Sequence, residues 1–403
     1  MLPSRDLMSV GSPFFTRTAE LNRQLAWGDW AGYHAAATYA DAHDIEYNAV
    51  RQATAVFDVS PLYKYVVSGP DASRLVDRVI TRDAGRIEVG QVVYTPWCDE
   101  RGKVIDDGTV TRLDDTTYRW TAADPCYRWI GMNAGGLDVT VSDVSEQLCG
   151  LALQGPTSRG VLEAATGEDW GGVAYFRRRP THIAGVDVDV TRTGYTGDLG
   201  YELWIPAAGA ETVWDALFEH GEQYGIRPAG IRALDVSRVE AGLILIEVDY
   251  TSSLHAATAE HEYSPFELGL GRLVNFQKPD FVGRRALAAE RESGGPRRRL
   301  VGLELDWAGI EDAFAAHDLP PAVSASVIRE EVPLHRGRRQ VGRATSTAWS
   351  PVLKRMVALA SVEAGNDDPG TRLEVEWTVE GVRSRVGARV VPLPFLELAR
   401  KRA

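Results

Sequence analysis

The chain has 403 residues, an apolar fraction of 44% and a formal charge of −12. This length exceeds that of the usual single domain, and the composition is that of an ordinary globular protein, so we expect two or three domains with ample core. The excess of acidic residues argues against a general nucleic-acid-binding surface, because neutralising phosphates needs clustered lysine and arginine.

The cysteine and histidine content narrows the class of protein further. The three cysteines form no Cys-x-x-Cys pair and the eight histidines are scattered, so neither a disulfide framework nor a metal site is predicted. The sequence shows no recognisable signal peptide and no stretch that approaches twenty uninterrupted apolar residues. We therefore expect a cytoplasmic protein that makes no membrane contact.

An internal echo relates residues 66–76 to residues 151–162. Each segment predicts a strand, a Gly-Pro turn and a helix that begins near the proline, with Asp71 or Thr157 placed to cap the first N–H groups. Two such units suggest related α+β halves that meet at a central cleft. Coincidental turn chemistry is the alternative for a repeat this short.

Residues 94–107 predict a β-hairpin. Runs of β-forming residues flank the polar turn 99–102, and Asp106 and Asp107 open the returning strand. Because neighbouring side chains on a strand point to opposite faces, at most one of these carboxylates enters a pocket. Judged from the hairpin alone, a structural role for both, as turn or strand-edge charges, is the commoner explanation.

A second carboxylate follows a glycine-rich turn. Residues 186–191 alternate apolar and polar side chains as a half-buried strand does, and the glycines of 194–200 then predict the turn. Glu202 stands where the chain becomes apolar again. A glutamate in this setting is either a surface partner or a buried acceptor for ligand N–H groups.

The remaining elements predict a domain boundary. Helical spacing covers residues 209–224 and 232–245, and the charged, Gly-Pro-interrupted segment 291–299 is the best linker. We assign residues 1–290 to one region and residues 300–403 to a β-rich C-terminal domain. The strands predicted in that domain are 300–305, 341–345 and 373–377.

Taken together, these segments resemble the folate-dependent family of the glycine cleavage T-protein, or aminomethyltransferase, and its tetrahydrofolate-dependent demethylase relatives. The resemblance implies an α+β fold in which two related, interleaved α/β subdomains form a central folate cleft, followed by a C-terminal β-barrel domain. The matching motifs, in family order, are Ala49-Val50-Arg51, Phe57-Asp58-Val59-Ser60, Ile105-Asp106-Asp107, Leu153-Gln154-Gly155-Pro156, Thr193-Gly194-Tyr195-Thr196-Gly197, Arg232-Ala233-Leu234-Asp235, Ser264-Pro265-Phe266-Glu267, Phe281-Val282-Gly283-Arg284 and Ser350-Pro351.

The resemblance also implies roles for individual residues. Asp106 corresponds to the family's catalytic or substrate-orienting acid and is preferred to Asp107. Tyr94 corresponds to the hairpin tyrosine that lies against the pterin. If the donor is an ammonium or sulfonium, Asp106 can hold that cation near N5 of tetrahydrofolate. A methyl ether would instead require a proton from a protonated Asp106 or another acid.

The resemblance implies that other residues bind the cofactor, which is tetrahydrofolate. Glu202 and Arg232 correspond to groups that bind folate or substrate, and Tyr195 of the glycine-rich turn joins them. A carboxylate such as Glu202 can accept paired N–H donors from the pterin edge. Arg238 also matches, although an ion pair with Glu240 or another core carboxylate explains it equally well.

Departures from the T-protein pattern concern the one-carbon donor. Ser60-Pro61-Leu62 replaces the usual Ser-His-Met, and no tyrosine follows Phe395. We therefore predict a demethylase that moves a methyl group from a small O-, N- or S-methyl donor to tetrahydrofolate. The alternatives are the aminomethyltransferase of glycine cleavage, which needs a lipoyl carrier protein, and a non-catalytic folate-binding protein. The retained Ile-Asp-Asp motif, and the lack of any cysteine after Cys149, favour an enzyme.

Two arginine runs, 177–179 and 297–299, complete the inventory of candidate groups. Such runs are usually solvated or interdomain faces. The glutamate tail of a folate is anionic, however, and needs a basic neighbour at the mouth of its cleft. One of the two runs is therefore a candidate for that contact.

Overall fold

The structure is a computed structural model that describes residues 9–402. It divides into two compact units, of which the first takes residues 9–95, 106–234 and 398–402, and the second takes residues 96–105 and 235–397. The second unit thus holds residues on both sides of the 291–299 linker, whose role as a domain boundary stays a prediction. No helix in the described range is long and apolar enough to cross a membrane.

Helices are distributed along the whole described chain. The predicted helix 209–224 is found as α6, and the one predicted over 232–245 is found as a shorter α7. That helix ends because Gly242 takes a left-handed conformation (φ 66°), and the N–H of Leu243 closes the last turn on the carbonyl of Arg238. The helices are α1 (Phe15–Leu21), α2 (His43–Gln52), α3 (Ala72–Val79), α4 (Tyr127–Met132), α5 (Ser158–Thr166), α6 (Ala210–Gly221), α7 (Ile231–Glu240), α8 (Arg284–Glu292) and α9 (Trp307–Ala315).

A six-stranded sheet forms the centre of the first unit. The predicted strand 186–191 is its strand β11, with the same bounds. Side chains alternate along β12, so that Tyr201 and Leu203 enter the apolar core while Glu202 faces the opposite side of the sheet. In spatial order the strands are β10 (Arg178–Ile183), β11 (Val186–Thr191), β12 (Gly200–Pro206), β9 (Leu148–Gln154), β3 (Thr54–Asp58) and β13 (Ile226–Pro228).

A five-stranded antiparallel sheet carries the predicted hairpin. Its strands β5 and β6 flank a turn in which the N–H of Asp99 donates to the carbonyl of Lys103 (2.8 Å), and Gly102 supplies the positive φ that the turn requires. The order is β5 (Val92–Cys98), β6 (Val104–Arg112), β7 (Thr117–Ala122), β4 (Tyr63–Ser68) and β8 (Thr140–Asp143), and a separate two-stranded sheet pairs β1 (Trp27–Trp30) with β2 (Tyr33–Ala36).

The internal echo is present in the structure. Strand β4 leads through Gly69 into α3, and β9 leads through Gly155 into α5, with φ angles of 132° and 129° at the two glycines. A side chain at either glycine would collide with a backbone oxygen. The predicted caps are wrong, since neither side chain accepts an N–H group of its helix. Asp71 instead accepts the N–H of Asp138 and the guanidinium of Arg74, and Thr157 donates to the carbonyl of Tyr224.

The second unit contains the predicted β-barrel. Six strands close into a barrel, which leaves no unpaired edge, and its interior is filled by aliphatic side chains such as Leu303 and Leu334. The three strands predicted from the sequence lie within β14, β16 and β18. In spatial order the barrel is β14 (Arg298–Leu305), β17 (Arg355–Glu363), β16 (Arg339–Ser350), β15 (Val332–Arg336), β18 (Arg372–Val379) and β19 (Val382–Val391).

Candidate active site

Asp106 is enclosed by backbone N–H groups at the start of β6. Its side chain has no exposed surface, and its oxygens accept the N–H groups of Asp107 (2.7 Å), Ala123 (3.1 Å) and Asp124 (3.0 Å). Burial, followed by the neighbouring Asp107 charge, raises the pKa of Asp106 well above its usual range, and the N–H groups act in the opposite direction. Asp106 therefore ties the segment after β7 to β6.

Asp107 is the more accessible of the two carboxylates. It is half-buried, and the Tyr94 hydroxyl on β5 donates to its Oδ2 (2.5 Å). Burial, and then the Asp107 carboxylate, raise the pKa of the Tyr94 phenol well above its usual value, and Tyr195 and Asp106 contribute in the same direction. The structure thus brings together Tyr94, Tyr195 and Asp106, and it encloses Asp106 while it leaves Asp107 half-buried. The catalytic role predicted for Asp106 stays a prediction.

Glu202 lies on the face of β12 that points away from the core. It is half-buried, and its Oε2 accepts the hydroxyl of Thr193. Burial raises the pKa of Glu202, while the Thr193 hydrogen bond and the charge of Arg119 lower it. An acceptor carboxylate in this setting suits a ligand edge that is rich in N–H groups.

Arg119 is a site residue that the sequence analysis missed. It lies on β7, is 4% exposed, donates through Nη1 to Asp189 on β11 (2.5 Å) and stacks 4.9 Å from the ring centre of Trp204. Arg178 also donates to Asp189 (2.5 Å). The sequence carried a signal in the form of one cationic residue between Tyr118 and Trp120 in a strand-forming run, a position where an unpaired charge is costly.

Arg232 lies in the first turn of α7. Its N–H donates to the carbonyl of Ala37 (3.1 Å), and its charge, after burial, contributes to a lowered pKa of His43. No ion pair joins Arg232 to Glu202 in the described chain. Its predicted role in binding folate or substrate stays a prediction.

Arg238 is a structural cross-link of the second unit. It is 1% exposed, and its guanidinium donates to Asp235 (2.7 Å), Asp249 (2.5 Å) and the Ser346 hydroxyl (2.7 Å). The ion-pair alternative therefore holds, with Asp235 and Asp249 as acidic partners. A cofactor could reach these donors only by displacing a buried pair, and the cofactor-binding role of Arg238 stays a prediction.

The arginine runs meet carboxylates of the protein itself. Five of the six arginines form an ion pair with an acidic side chain, which reduces the charge available to an anionic ligand tail. These pairs are Arg177 with Glu88, Arg178 with Asp189, Arg179 with Glu168, Arg298 with Glu267 and Arg299 with Asp367.

The buried carboxylates and tyrosines of the first unit are groups that exchange hydrogen bonds with polar ligands. Residues 17–278 match the family model described as the GCVT N-terminal domain, and residues 298–397 match the glycine cleavage T-protein C-terminal barrel domain. The chain belongs to the glycine cleavage T-protein family. It is therefore a transferase whose cofactor is tetrahydrofolate.

Individual relatives differ in their names. A trimethylamine-oxide aldolase from Ruegeria pomeroyi is 37% identical over 86% of this chain, which spans 42% of that longer protein. An aminomethyltransferase from Moorella thermoacetica is 36% identical over 88% of this chain and 90% of its own length. The crystal structure of glycine cleavage system aminomethyltransferase T from Bartonella henselae, 24% identical, covers 96% of this chain and 98% of its own with a TM-score of 0.81, which confirms the predicted fold.

Proposed function

We propose that the protein is a demethylase, which moves a methyl or other one-carbon unit from a small methylated donor to tetrahydrofolate. The supporting observation is the position of a cavity on the six-stranded sheet. Phe57 on β3, Ala152 on β9 and Glu202 on β12 are paired directly across three strands, so their side chains share one face. The strand spacing separates Phe57 from Glu202 by about 10 Å, and Phe57 lines the cavity.

The lining of this cavity favours a cationic donor. Its aromatic members are Trp30, His34, Tyr39 and Phe57, and Asp58 contributes a carboxylate. Aromatic faces attract quaternary ammonium groups, by about 0.5–2 kcal/mol per ring when the site excludes water. A methylated ammonium or sulfonium therefore fits this lining better than a neutral methyl ether, which brings no charge for the rings or the carboxylate to bind.

Each residue of the candidate site has a different role in binding the cofactor. Tetrahydrofolate supplies N5, the nitrogen that takes up the one-carbon unit. Glu202 accepts N–H donors of the pterin, which adds about 1.5–3 kcal/mol for a charged acceptor. Asp107, oriented by Tyr94, contacts the reacting groups, and Tyr195 borders them. Asp106 acts through Asp107 by fixing the backbone of β6.

Arg232 has a place in this proposal at the donor end of the site. It follows Ile231, which lines the aromatic cavity. Its guanidinium is half-buried and suited to hold a carboxylate on either the donor or the folate. Arg232 is therefore retained as a ligand-binding residue of the proposed demethylase.

A donor screen tests the demethylase. Wild-type protein with tetrahydrofolate is incubated with N-methyl amines, sulfonium compounds and methoxylated aromatics, and 5-methyl- and methylene-tetrahydrofolate are measured. We expect product from a cationic donor and none from the ethers. Tyr39→Ala raises the donor KM, whereas Tyr127→Ala, a control at a tyrosine 47% exposed, changes nothing. Failure of every donor to give either product would overturn the proposal.

Aminomethyl transfer is the second candidate, because the Moorella relative that carries this name is matched along almost its whole length. In that case the donor is an aminomethyl group on a lipoyl carrier protein. Loaded carrier is mixed with the protein and tetrahydrofolate, and released ammonia is measured. Turnover of the carrier together with inert small donors would replace the demethylase by this activity.

A further inference from the structure

A buried glutamate connects two walls of the aromatic cavity. Glu46 on α2 is 1% exposed, and its Oε1 accepts the Thr38 hydroxyl (2.8 Å). The same oxygen accepts the N–H groups of Tyr39 (2.5 Å) and Ala40 (2.7 Å), while Oε2 accepts the N–H of Gly230 (2.7 Å). Tyr39 and Gly230 both line the cavity, from segments far apart in the sequence. One carboxylate thus holds the loop that carries Tyr39 against the residue that precedes α7.

The two segments also meet directly. The N–H of Arg232, in the first turn of α7, donates to the carbonyl of Ala37 (3.1 Å). A side chain at Gly230 would place its Cβ 2.5 Å from the carbonyl oxygen of Ala37 and 2.6 Å from that of Ala36, so only glycine permits this approach. The spacing of the two walls therefore depends on backbone contacts and on the carboxylate that accepts from both.

Glu46 connects these walls without lining the cavity. Among the residues that the structure describes, those that line it include the carboxylate of Asp58 but not that of Glu46. Burial, and then the charges of Asp58 and Glu46, raise the pKa of the Tyr39 phenol well above its usual value, so the ring is neutral and both acids lie near it. Glu46 can therefore affect a bound donor only through the residues that it positions.

We propose that Glu46 is a positioning residue for the donor, which holds Tyr39 and the start of α7 at the separation that a methylated cation needs. The inference rests on the proposed demethylase, because that proposal assigns donor binding to this cavity. A preformed cavity orders few groups when the ligand arrives, whereas two untied walls must first be brought together, which weakens binding. The effect is confined to the donor, since the bonds of Glu46 do not involve Glu202 or the Thr193 hydroxyl that Glu202 accepts.

Glu46→Gln is the most direct test, because it releases one wall and keeps the other. The glutamine carbonyl oxygen can still accept from the hydroxyl and the two N–H groups of residues 38–40. Its NH2 group then faces the N–H of Gly230, so that two donors oppose each other. The start of α7 loses its bond to the side chain at position 46, while the Tyr39 loop keeps its own.

Two further variants accompany Glu46→Gln. Thr38→Val is milder, since it removes one donor from the Tyr39 loop and leaves the carboxylate intact. The matched control is Glu163→Gln, at a helical glutamate of the same unit that accepts the backbone N–H of Trp170 (3.0 Å) and is not part of the described cavity lining. Calorimetry measures the affinities of wild type and the three variants for tetramethylammonium, as a cationic probe, and for tetrahydrofolate.

We expect Glu46→Gln to bind tetramethylammonium about tenfold more weakly than wild type, and Thr38→Val about threefold more weakly, as the loss of a charged hydrogen bond implies. The affinity for tetrahydrofolate is unchanged in both, and Glu163→Gln matches wild type for both ligands. A donor-specific loss of this kind is not what a general structural role would give, because loosening of the whole unit weakens both ligands.

Wild-type affinity for tetramethylammonium in Glu46→Gln would overturn the inference, and so would an equal loss of both ligands. If Glu46→Gln does not fold, Thr38→Val decides by the same two criteria. A selective loss of tetramethylammonium in Glu163→Gln would also overturn it, since the effect would not depend on the bonds of Glu46. Wild-type protein that binds tetrahydrofolate but not tetramethylammonium would remove the cationic-donor cavity itself, and with it both this inference and the proposed cationic donor.

Discussion

Two buried arginines, one in each unit, are bound in opposite ways. Arg238 in α7 is 1% exposed and spends its donors on Asp235, Asp249 and Ser346. Arg119 in β7 is 4% exposed and makes one ion pair, with Asp189, while its Nε and Nη2 have no hydrogen-bond partner among residues 9–402.

Whether the guanidinium donors have partners distinguishes a structural arginine from a functional one better than burial does. A guanidinium whose donors are all used holds its neighbours together, and its charge is neutralised on the spot. Buried N–H donors without a hydrogen-bond partner destabilise the fold, so their presence needs an explanation. For Arg119 the reason we favour is the field that it exerts on Glu202, which keeps that carboxylate able to accept N–H groups. Three sets of variants examine this contrast.

Replacing Arg238 should have the largest effect. Arg238→Met leaves Asp235 and Asp249 without their buried partner, and we expect a loss of about 3–5 kcal/mol in the free energy of unfolding. Urea unfolding followed by fluorescence measures it. The matched control is Arg17→Met, which removes exposed pairs with Asp215 and Glu211 and should leave the free energy of unfolding nearly unchanged.

The opposite result for Arg238 would be informative. If Arg238→Met unfolded like wild type and lost affinity for tetrahydrofolate, the contrast between the two arginines would be void. That result would support the cofactor-binding role predicted for Arg238 from the sequence. A larger loss for the exposed Arg17→Met control than for Arg238→Met would also contradict the structural assignment.

Asp106 and Asp107 on the hairpin also differ in this way, since the proposal gives Asp106 a structural role and Asp107 a catalytic one. Asp107→Asn should lower turnover about a hundredfold with little change in stability, since it removes an acid–base group. Asp106→Asn places an NH2 group among backbone donors and should cost about 1–3 kcal/mol of unfolding free energy. Turnover and urea unfolding are measured for both. A stable but inactive Asp106→Asn beside an active Asp107→Asn would support the prediction that Asp106 is the catalytic acid.

Local patterns explain why the fold was largely predictable. The hairpin, strand β11 and the barrel strands follow from alternation and turn residues that lie within a few positions of one another. The shortened α7 and the failed caps depend on contacts that this pattern does not contain. Glycine at 242 ends the helix, and the Asp71 side chain is drawn to a backbone N–H 67 residues away.

The sequence suggested residues for the candidate site, but it could not predict which of their side chains are enclosed. Tyr94 and Glu202 came from the resemblance to the T-protein family. Which of the two hairpin aspartates is enclosed depends on the segment after β7, whose N–H groups at 123 and 124 bind Asp106. Arg119 meets its acid 70 residues further along the chain. Contacts between residues so far apart in the sequence cannot be predicted from the local spacing of residue types.

Arg119 itself should show the smallest effect, and one that depends on pH. Burial raises the folded pKa of Glu202 and Arg119 lowers it, so below that pKa the carboxyl is protonated and cannot accept N–H groups. Affinity for tetrahydrofolate should therefore rise with pH. In Arg119→Met the pKa climbs further, the acidic limb of the binding curve moves to higher pH, and affinity at neutral pH falls about tenfold.

Calorimetry across the pH range measures this shift in wild type, Arg119→Met, Arg119→Lys and Arg178→Met. Arg119→Lys keeps the charge and should restore most of the wild-type profile, although its ammonium cannot stack on Trp204 as the planar guanidinium does. Arg178→Met removes the other cation on Asp189 and should leave the limb in place. If Arg119→Met lowered the affinity for tetrahydrofolate equally at every pH, the effect of Arg119 would come from packing rather than from its charge. Arg119 would then belong with Arg238 as a structural group, because its field would have no measurable effect on Glu202.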